Sequence, residues 1–315
     1  VMSVLELANS NPSCGYGRVL IHQGKVTAII EEKDADTQTL ALKTLNAGIY
    51  CFHKDILDTY IPKIQPNNTQ KEYYLTDIIS LAVNDKKTIT PLFVSSETFK
   101  GVNNPLELAK AEEILGNRIK EFWLEKGVKM RLMDTIYIED DVEFYGECMI
   151  ENGVSICGQS TIINSIIKAH SVIESSYIEN SSIGPLAHIR PQSKIHDTHI
   201  GNFVEVKNST LQGTKAGHLS YIGDCKIHEG SNIGAGFITC NYNGKKKYAT
   251  TIGKNVFVGS GTQIVAPIQI EDDCLIGAGS TVRRNIKKGQ LYLNKGQEVI
   301  KENFFYDFFN HKSSK

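Results

Sequence analysis

The chain has 315 residues, 41% of them hydrophobic, with 35 acidic against 34 basic side chains and a net charge of −1. That length allows one or two domains with a sizeable core, and the near-neutral balance excludes a general nucleic-acid surface or a polybasic membrane anchor. No apolar run is long enough to cross a bilayer, no secretory pattern opens the chain, and the seven cysteines include no Cys-x-x-Cys pair, so free thiols in a reducing cytoplasm are expected.

Residues 1–96 carry no six-residue period. GRVLIHQGKVTAIIEE reads as two strands around a Gln23-Gly24 turn, and LNAGIYCF reads as a buried strand. KDILDTYIPKI and YLTDIISLAV have helical spacing, and TPLFV is a further short strand. The pattern predicts part of an α/β domain over 1–103, without a glycine-rich phosphate loop after a first strand. The opening at Val1 reads as mid-fold, and a front portion is expected to be missing. Asn104 as N-cap and Pro105 at the first helical position start a helix that Gly127 stops, so 104–127 is the predicted linker. Its stripe of Leu108, Ala111, Leu115, Ile119 and Phe122 or Trp123 is expected to pack.

The period then changes. Ile252, Val258, Ile264, Ile270, Ile276 and Val282 recur at every sixth position, often followed by glycine. Six fits neither a helix nor a solvated strand, but it fits short strands joined by tight corners, the hexapeptide pattern of a parallel β-helix. Upstream the step holds at Ile136, Val142, Cys148 and Val154, weakens at Ser160, and resumes at Ile166, Val172 and Ile178. It continues through Ile183, Ile189, Ile195, Ile200, Val206, Leu211, Ile222, Ile227 and Ile233, with occasional steps of five. The expected fold is therefore α/β plus β. Residues 128–285 are expected to form a β-helix of roughly eight coils stacked at about 4.8 Å, in a domain over 128–315 that ends with the C-terminal tail. Its left hand belongs to the fold class and not to the spacing. The aromatic tail, Phe304, Phe305, Tyr306, Phe308 and Phe309, is expected to cap the open end or to exchange with a neighbouring subunit.

One stretch, TCNYNGKKKYATT between Ile238 and Ile252, breaks the hexads around an Asn243-Gly244 turn. If the coils bring Arg190, Lys207 and Lys247 together, the three cations suit a phosphate. His218, in Lys-Ala-Gly-His with Tyr221 and Asn232 nearby, has the chemistry of a general base. No Ser or Cys sits in a nucleophile motif, which favours direct attack by a bound substrate.

The blocks IGNFVE, KAGHLSYIGD, NIGAGFITCNYNG and VFVGS together resemble the acetyltransferase domain of the GlmU family. Its members are bifunctional N-acetylglucosamine-1-phosphate uridyltransferases and glucosamine-1-phosphate acetyltransferases. YGRV, GKVTAIIEEKDA, LNAGIY, KEYYLTDII and GVNN extend the likeness over almost the whole chain. The resemblance implies a homotrimeric, cytoplasmic enzyme that uses acetyl-CoA and glucosamine 1-phosphate, with sites between subunits and a left-handed β-helix. It implies His218 as the base, and Arg190, Lys207 and Lys247 on the sugar phosphate. It also implies Tyr221 and Asn232 on the sugar, and Ala235, Asn241, Tyr242, Ser260 and Ala278 along acetyl-CoA. Lys295 stands where the family often has arginine near the CoA phosphate. The front resembles the rear of a Rossmann-like uridyltransferase domain, with Gly17, Glu31, Asn46 and Asn103 at its sugar-nucleotide contacts and Asn103 also a Mg2+ ligand. The family's glycine-rich loop and its magnesium-binding aspartate have no counterpart, so UDP-N-acetylglucosamine synthesis is expected of a complete parent and not of this chain.

Three other readings compete. Another hexapeptide acyltransferase would lack the EYYLTD and GVNN blocks. A γ-type carbonic anhydrase needs a zinc held by histidines, and the spacing of His188, His196, His199, His218 and His228 compels no triad. A non-catalytic scaffold derived from a sugar nucleotidyltransferase would be expected to lose its catalytic histidine.

Overall fold

The computed structural model describes residues 2–6, 15–95 and 101–294. They fall into two compact units, Val1–Ile114 and Leu115–Lys315. The aromatic tail and Lys295 lie outside the described residues.

In the first unit a five-stranded sheet has the order Lys25–Ile30, Arg18–His22, Thr44–Tyr50, Met2–Glu6, Pro91–Val94. Neighbours are antiparallel except for the last pair. Gln23 and Gly24 both have positive φ, at 47° and 73°, as a two-residue hairpin turn requires. The helix Asp77–Asn84 buries Ile78, Ile79 and Ala82 against a core that includes Val4, Val19, Val26 and Ile29. The strand expected to be buried, Thr44–Tyr50, is only half covered: Leu45 is enclosed, whereas Ile49 is 53% exposed.

The helix Pro105–Glu125 starts as the sequence indicates, with Asn104 Oδ1 accepting from the Glu107 N–H at 3.0 Å. It ends just before Gly127, whose φ is +94°. Its expected stripe is corrected. Leu108, Leu115 and Phe122 are exposed, and the packing residues are Ile119 and Trp123. Trp123 meets Phe144 edge-on at 5.1 Å, and Lys120 donates to the Met133 carbonyl at 3.1 Å. These contacts fix the end of the helix to the first coils of the second unit.

The second unit is a left-handed parallel β-helix. Each coil gives one short strand to each of three parallel sheets, which hold ten, nine and eight strands among the described residues. The first face begins at Lys129–Met130, the second at Tyr137–Ile138 and the third at Glu143–Tyr145. Residues stacked on successive coils are 16, 17 or 18 apart in sequence, and 25 apart across the hexad break. Most strands bury a single side chain, and Cys225–Ile227, Thr250–Ile252 and Ile268–Ile270 bury two. On the second face the inward residues are Ile138, Ile156, Ile173, Ile189, Val206 and Ile222, each in register with the next.

The sequence phase is off before Ile178: Ile136, Val142, Cys148 and Val154 are buried at the corners, two residues before the inward Ile138, Phe144, Ile150 and Ile156. Ile166 is 41% exposed and Val172 half-buried, while Ile162, Ile167 and Ile173 fill the core. Ser160, the weak position, is fully buried. It starts a ladder of corner hydroxyls that accept N–H bonds from the next coil: Ser160 from Ser176 at 3.3 Å, Ser165 from Ser181 at 2.9 Å, Ser181 from Thr198 at 3.0 Å. A buried hydroxyl is tolerated there because it pairs with a backbone group.

Candidate active site

Outward residues of a strand lie two apart. On the second face Arg190 stacks over Lys207, its N–H donating to the Val206 carbonyl at 2.8 Å, and Lys207 pairs in register with Gly223. The chain leaves this face after Cys240 as a small hairpin. Tyr242 and Lys247 form its bridge. Asn243 Oδ1 accepts from the N–H groups of Lys245 and Lys246 at 3.0 and 2.9 Å, and Gly244 takes a φ of +91°. The returning limb brings Lys247 to Lys207. The Lys207 ammonium is held below the usual lysine range, first by contact with the Lys247 side chain and then by the charge of Arg190. Arg190 is braced by Glu205, whose carboxylate accepts from Nη1 at 2.8 Å and keeps the guanidinium firmly charged.

Gly223 makes room in the same place. A Cβ there would lie 2.5 Å from the Tyr221 hydroxyl and 2.7 Å from Asn241 Nδ2. Asn241, 7% exposed, donates to Asp224 Oδ2 at 2.6 Å and to the Tyr221 hydroxyl at 3.5 Å. Arg190, Lys207, Tyr221, Asn241 and Lys247 thus gather on one face. Tyr242, on the hairpin, is exposed.

His218 lies around the corner. It ends the strand Lys215–His218 on the first face, and Tyr221 opens the next strand on the second. His218 is exposed and heads a trough of about 700 Å³ whose walls include Asn232, Ala235, Ser260 and Ala278. The Ala235 carbonyl accepts from Gly261 N–H at 2.7 Å and that of Ser260 from Gly279 N–H at 2.8 Å, which stacks these small residues coil upon coil. The floor is flat because Gly234 and Gly259 carry no side chain. A Cβ on Gly234 would stand 2.6 Å from Ser260 N. Phe257 and Leu275 give the trough an exposed apolar flank. At its head His199 is held below the usual histidine range, by desolvation and then by Lys168, Lys215 and His218.

In the first unit Gly17 O accepts from the Asn46 N–H at 2.8 Å, and Gly17 packs close to Glu31. Glu31 accepts from the Thr76 hydroxyl at 3.0 Å. Asn46 Oδ1 accepts from the Tyr50 hydroxyl at 2.7 Å. Burial, with the Glu31 charge, pushes that phenol up to about 12. The Asn103 N–H donates to Glu107 at 2.7 Å, and its side chain lies near Gly101, which Tyr16 holds. Among the described residues no three His, Cys, Asp or Glu side chains converge as metal ligands. His188 and His196 are instead engaged by Glu174 and Glu179 at 3.0 and 3.1 Å.

Three residues of the cation cluster escaped the sequence reading: Glu205, Gly223 and Asp224. Glu205 could have been found, since it sits two before Lys207 and so shares its outward side. Gly223 and Asp224 gave no signal, because Asn241, which meets both, is 17 or more residues away in sequence.

Residues 249–284 match the family model described as bacterial transferase hexapeptide (six repeats). The bifunctional protein GlmU of Nitratiruptor sp. is 56% identical over 306 residues, covering 97% of this chain and 71% of the relative. That of Wolinella succinogenes is 56% identical over 310 residues, covering 98% and 71%. That of Campylobacter concisus is 52% identical over 309 residues, covering 98% and 70%. Among solved structures, LpxA from Acinetobacter baumannii is 14% identical over 51% of this chain and 69% of its own, with a TM-score of 0.31. The acetyltransferase domain of PglB from Neisseria gonorrhoeae, in complex with acetyl coenzyme A, is 15% identical over 64% and 67%, with a TM-score of 0.22. At those scores neither likeness bears on the chemistry.

Proposed function

This chain belongs to the GlmU family, and on that premise we propose that its β-helix transfers an acetyl group from acetyl-CoA to the amine of glucosamine 1-phosphate, giving N-acetylglucosamine 1-phosphate for UDP-N-acetylglucosamine synthesis. The observation that carries the reading is the gathering of Arg190, Lys207 and Lys247, close enough to depress the Lys207 ammonium. Like charges held this near call for an anion, and a sugar phosphate fits them.

His218 takes a proton from the sugar amine, a role worth about 10²- to 10⁴-fold in rate. The amine attacks the thioester carbonyl, the C–N bond forms and the C–S bond breaks. The leaving CoA thiolate then receives the proton from His218. Tyr221 and Asn232 orient the sugar. Ala235, Ser260 and Ala278, with the glycine floor between them, leave space for the acetyl-CoA arm, and Asn241 and Tyr242 complete its path.

We extend the proposal to a homotrimer. The trough and the cations lie on adjacent faces of one prism, and the corner between those faces is apolar. Leu186, Phe203 and Leu219 stand on successive coils there, 43%, 55% and 62% exposed, with φ of 56°, 56° and 47°. Bulky residues in left-handed backbone are rare, and an exposed apolar ridge marks an association surface. In the assembly the trough of one copy meets the cations of the next. The free cysteines among the described residues suit a reducing, cytoplasmic setting, and no described helix is long and apolar enough to cross a membrane.

Gly17, Glu31, Asn46 and Asn103 are proposed as sugar-nucleotide contacts of the first unit. Mg2+ takes six oxygens and favours carboxylates. Asn103 offers one amide oxygen and no described acidic cluster accompanies it, so the residues do not fit the ion and no step is routed through it. The test of the main reading is thiol release from acetyl-CoA by the purified chain. Release that requires glucosamine 1-phosphate is expected. No release, or release indifferent to the sugar phosphate, overturns the reading.

A further inference from the structure

On the third face a groove of about 510 Å³ lies where the returning limb of the hairpin rejoins the prism. Lys194, Thr210 and Lys226 share one outward row on three successive coils. Two ammonium stems therefore rise about 10 Å apart, two strand spacings, with a hydroxyl between them. Lys247 reaches the same groove from the hairpin. Among the described residues no ion pair engages Lys194, Lys226 or Lys247.

The one acid in the wall, Asp224, accepts from Asn208 Nδ2 at 2.5 Å and Asn241 Nδ2 at 2.6 Å and keeps its charge, so the groove sets three lysines against one carboxylate. The neighbouring Cys225 thiol is pushed far up by burial and adds no negative charge. Three lysines without an ion-pair partner among the described residues, facing one groove, suit an oxyanion.

We propose that this groove is a second phosphate site, for a phosphate dianion either free or at the head of a phosphomonoester, separate from the catalytic cations but sharing Lys247 with them. The Lys247 ammonium, repelled by Lys207, is drawn outward when the groove is filled. Occupancy then weakens the grip on glucosamine 1-phosphate and raises its KM. That coupling rests on the assignment of Lys247 to the sugar phosphate, whereas the site itself does not.

Calorimetric titration of inorganic phosphate into the full chain tests both. The wild type is expected to bind two equivalents per chain, the K194A/K226A double variant to lose one, and R190A to lose the other. In phosphate-free buffer K194A/K226A should keep its acetyl transfer rate. Added phosphate should raise its KM for glucosamine 1-phosphate less than it raises that of the wild type. Glycerol 3-phosphate in place of phosphate separates an ester site from one confined to the free ion. Unchanged phosphate stoichiometry in K194A/K226A overturns the proposal. If R190A alone keeps both equivalents, the second site stands and the catalytic phosphate assignment fails.

Discussion

Gly223→Ala probes the cation cluster without touching a charge. The new methyl would sit 2.5 Å from the Tyr221 hydroxyl and 2.7 Å from Asn241 Nδ2, where ordinary contact begins near 3.4 Å. Both obstacles are the far ends of side chains, and the backbone of Gly223 needs no positive φ, so the fold can accept the change. Tyr221 and Asn241 must each retreat by close to 1 Å. Loss of one neutral hydrogen bond to the sugar sets a lower limit of about 0.5–1.5 kcal/mol, roughly two- to tenfold. Misplacement of a positioning group by about 1 Å sets an upper limit near 10²-fold. We expect about a tenfold fall in kcat/KM for glucosamine 1-phosphate, carried mainly by KM. The KM for acetyl-CoA should rise less, because of the groups proposed to hold it only Asn241 is displaced, and the trough that would receive the rest lies on the other face. Initial rates by thiol release, with each substrate varied, read the split, and a melting curve confirms the fold. An unchanged sugar-phosphate KM in a well-folded variant, or equal rises in both KM values, would refute the placement of Tyr221 in the sugar site.

His218→Ala should lower kcat by about 10²- to 10⁴-fold and leave acetyl-CoA binding intact in a calorimetric titration; near-normal turnover removes His218 from the mechanism. Lys207→Met should weaken sugar-phosphate binding and yet raise the melting temperature at neutral pH. The Lys207 proton is bound less readily in the fold than in the unfolded chain, so its charge opposes folding until the pH rises through the folded value toward the ordinary 10.5. Because the group is exposed, the gain should shrink with added salt, and a lower melting temperature in K207M at low salt would contradict the like-charge cluster. Gly259→Ala puts a methyl 2.8 Å from Ala278 Cα and still closer to Ala278 N. Backbone cannot yield as a side chain does, so a loss of about 1–3 kcal/mol is expected in urea melts, and wild-type stability would show that adjacent coils can part there. Phe203→Asp charges the apolar ridge. Light scattering should report a smaller particle and the rate assay a loss of activity, whereas a monomer with full activity defeats the shared site.

The β-helix was legible because its period is neither 2 nor 3.6, and the reason its phase slipped is equally physical. STIINSIIKAHSVIESSYIE offers adjacent aliphatic pairs at 162/163, 166/167 and 172/173. Alternation along a strand places one of each pair inward, and a shift of one residue exchanges them. Counting by six ran along the corner row Ile136, Val142, Cys148, Val154 and Ser160, two residues before the inward Ile138, Phe144, Ile150, Ile156 and Ile162, and a hexad shortened to five by coils of 16 and 17 residues then leaves it one residue early at Ile166 and Val172. The core instead takes Ile167 and Ile173, in register with Ile183 and Ile189. Ser160 weakens the pattern because a serine carries no apolar signal. Its hydroxyl bonds to the next coil were invisible until the stacking was known. The helix stripe failed for another reason: helical spacing marks a face without saying which part of it has a partner, and only Ile119 and Trp123 meet the β-helix core.

The site was legible in its residues and not in its geometry. Arg190 and Lys207 stand one coil apart, so the repeat itself stacks them. Lys247 joins them only because the hairpin folds back, which no spacing rule encodes. The resemblance put Asn241 and Tyr242 with acetyl-CoA, yet Asn241 is bound to Tyr221 and Asp224 on the second face, while Ala235, Ser260 and Ala278 line the trough of the first. Both statements hold together if Asn241 and Tyr242 serve the trough of a neighbouring copy, across a ridge whose Leu186, Phe203 and Leu219 have no reason to be exposed in an isolated prism. The assembly is then part of the chemistry. Phe203→Asp should cost activity by parting the trough from its hairpin, and mixing it with an inactive His218→Ala chain should fail to restore the rate unless the copies associate again.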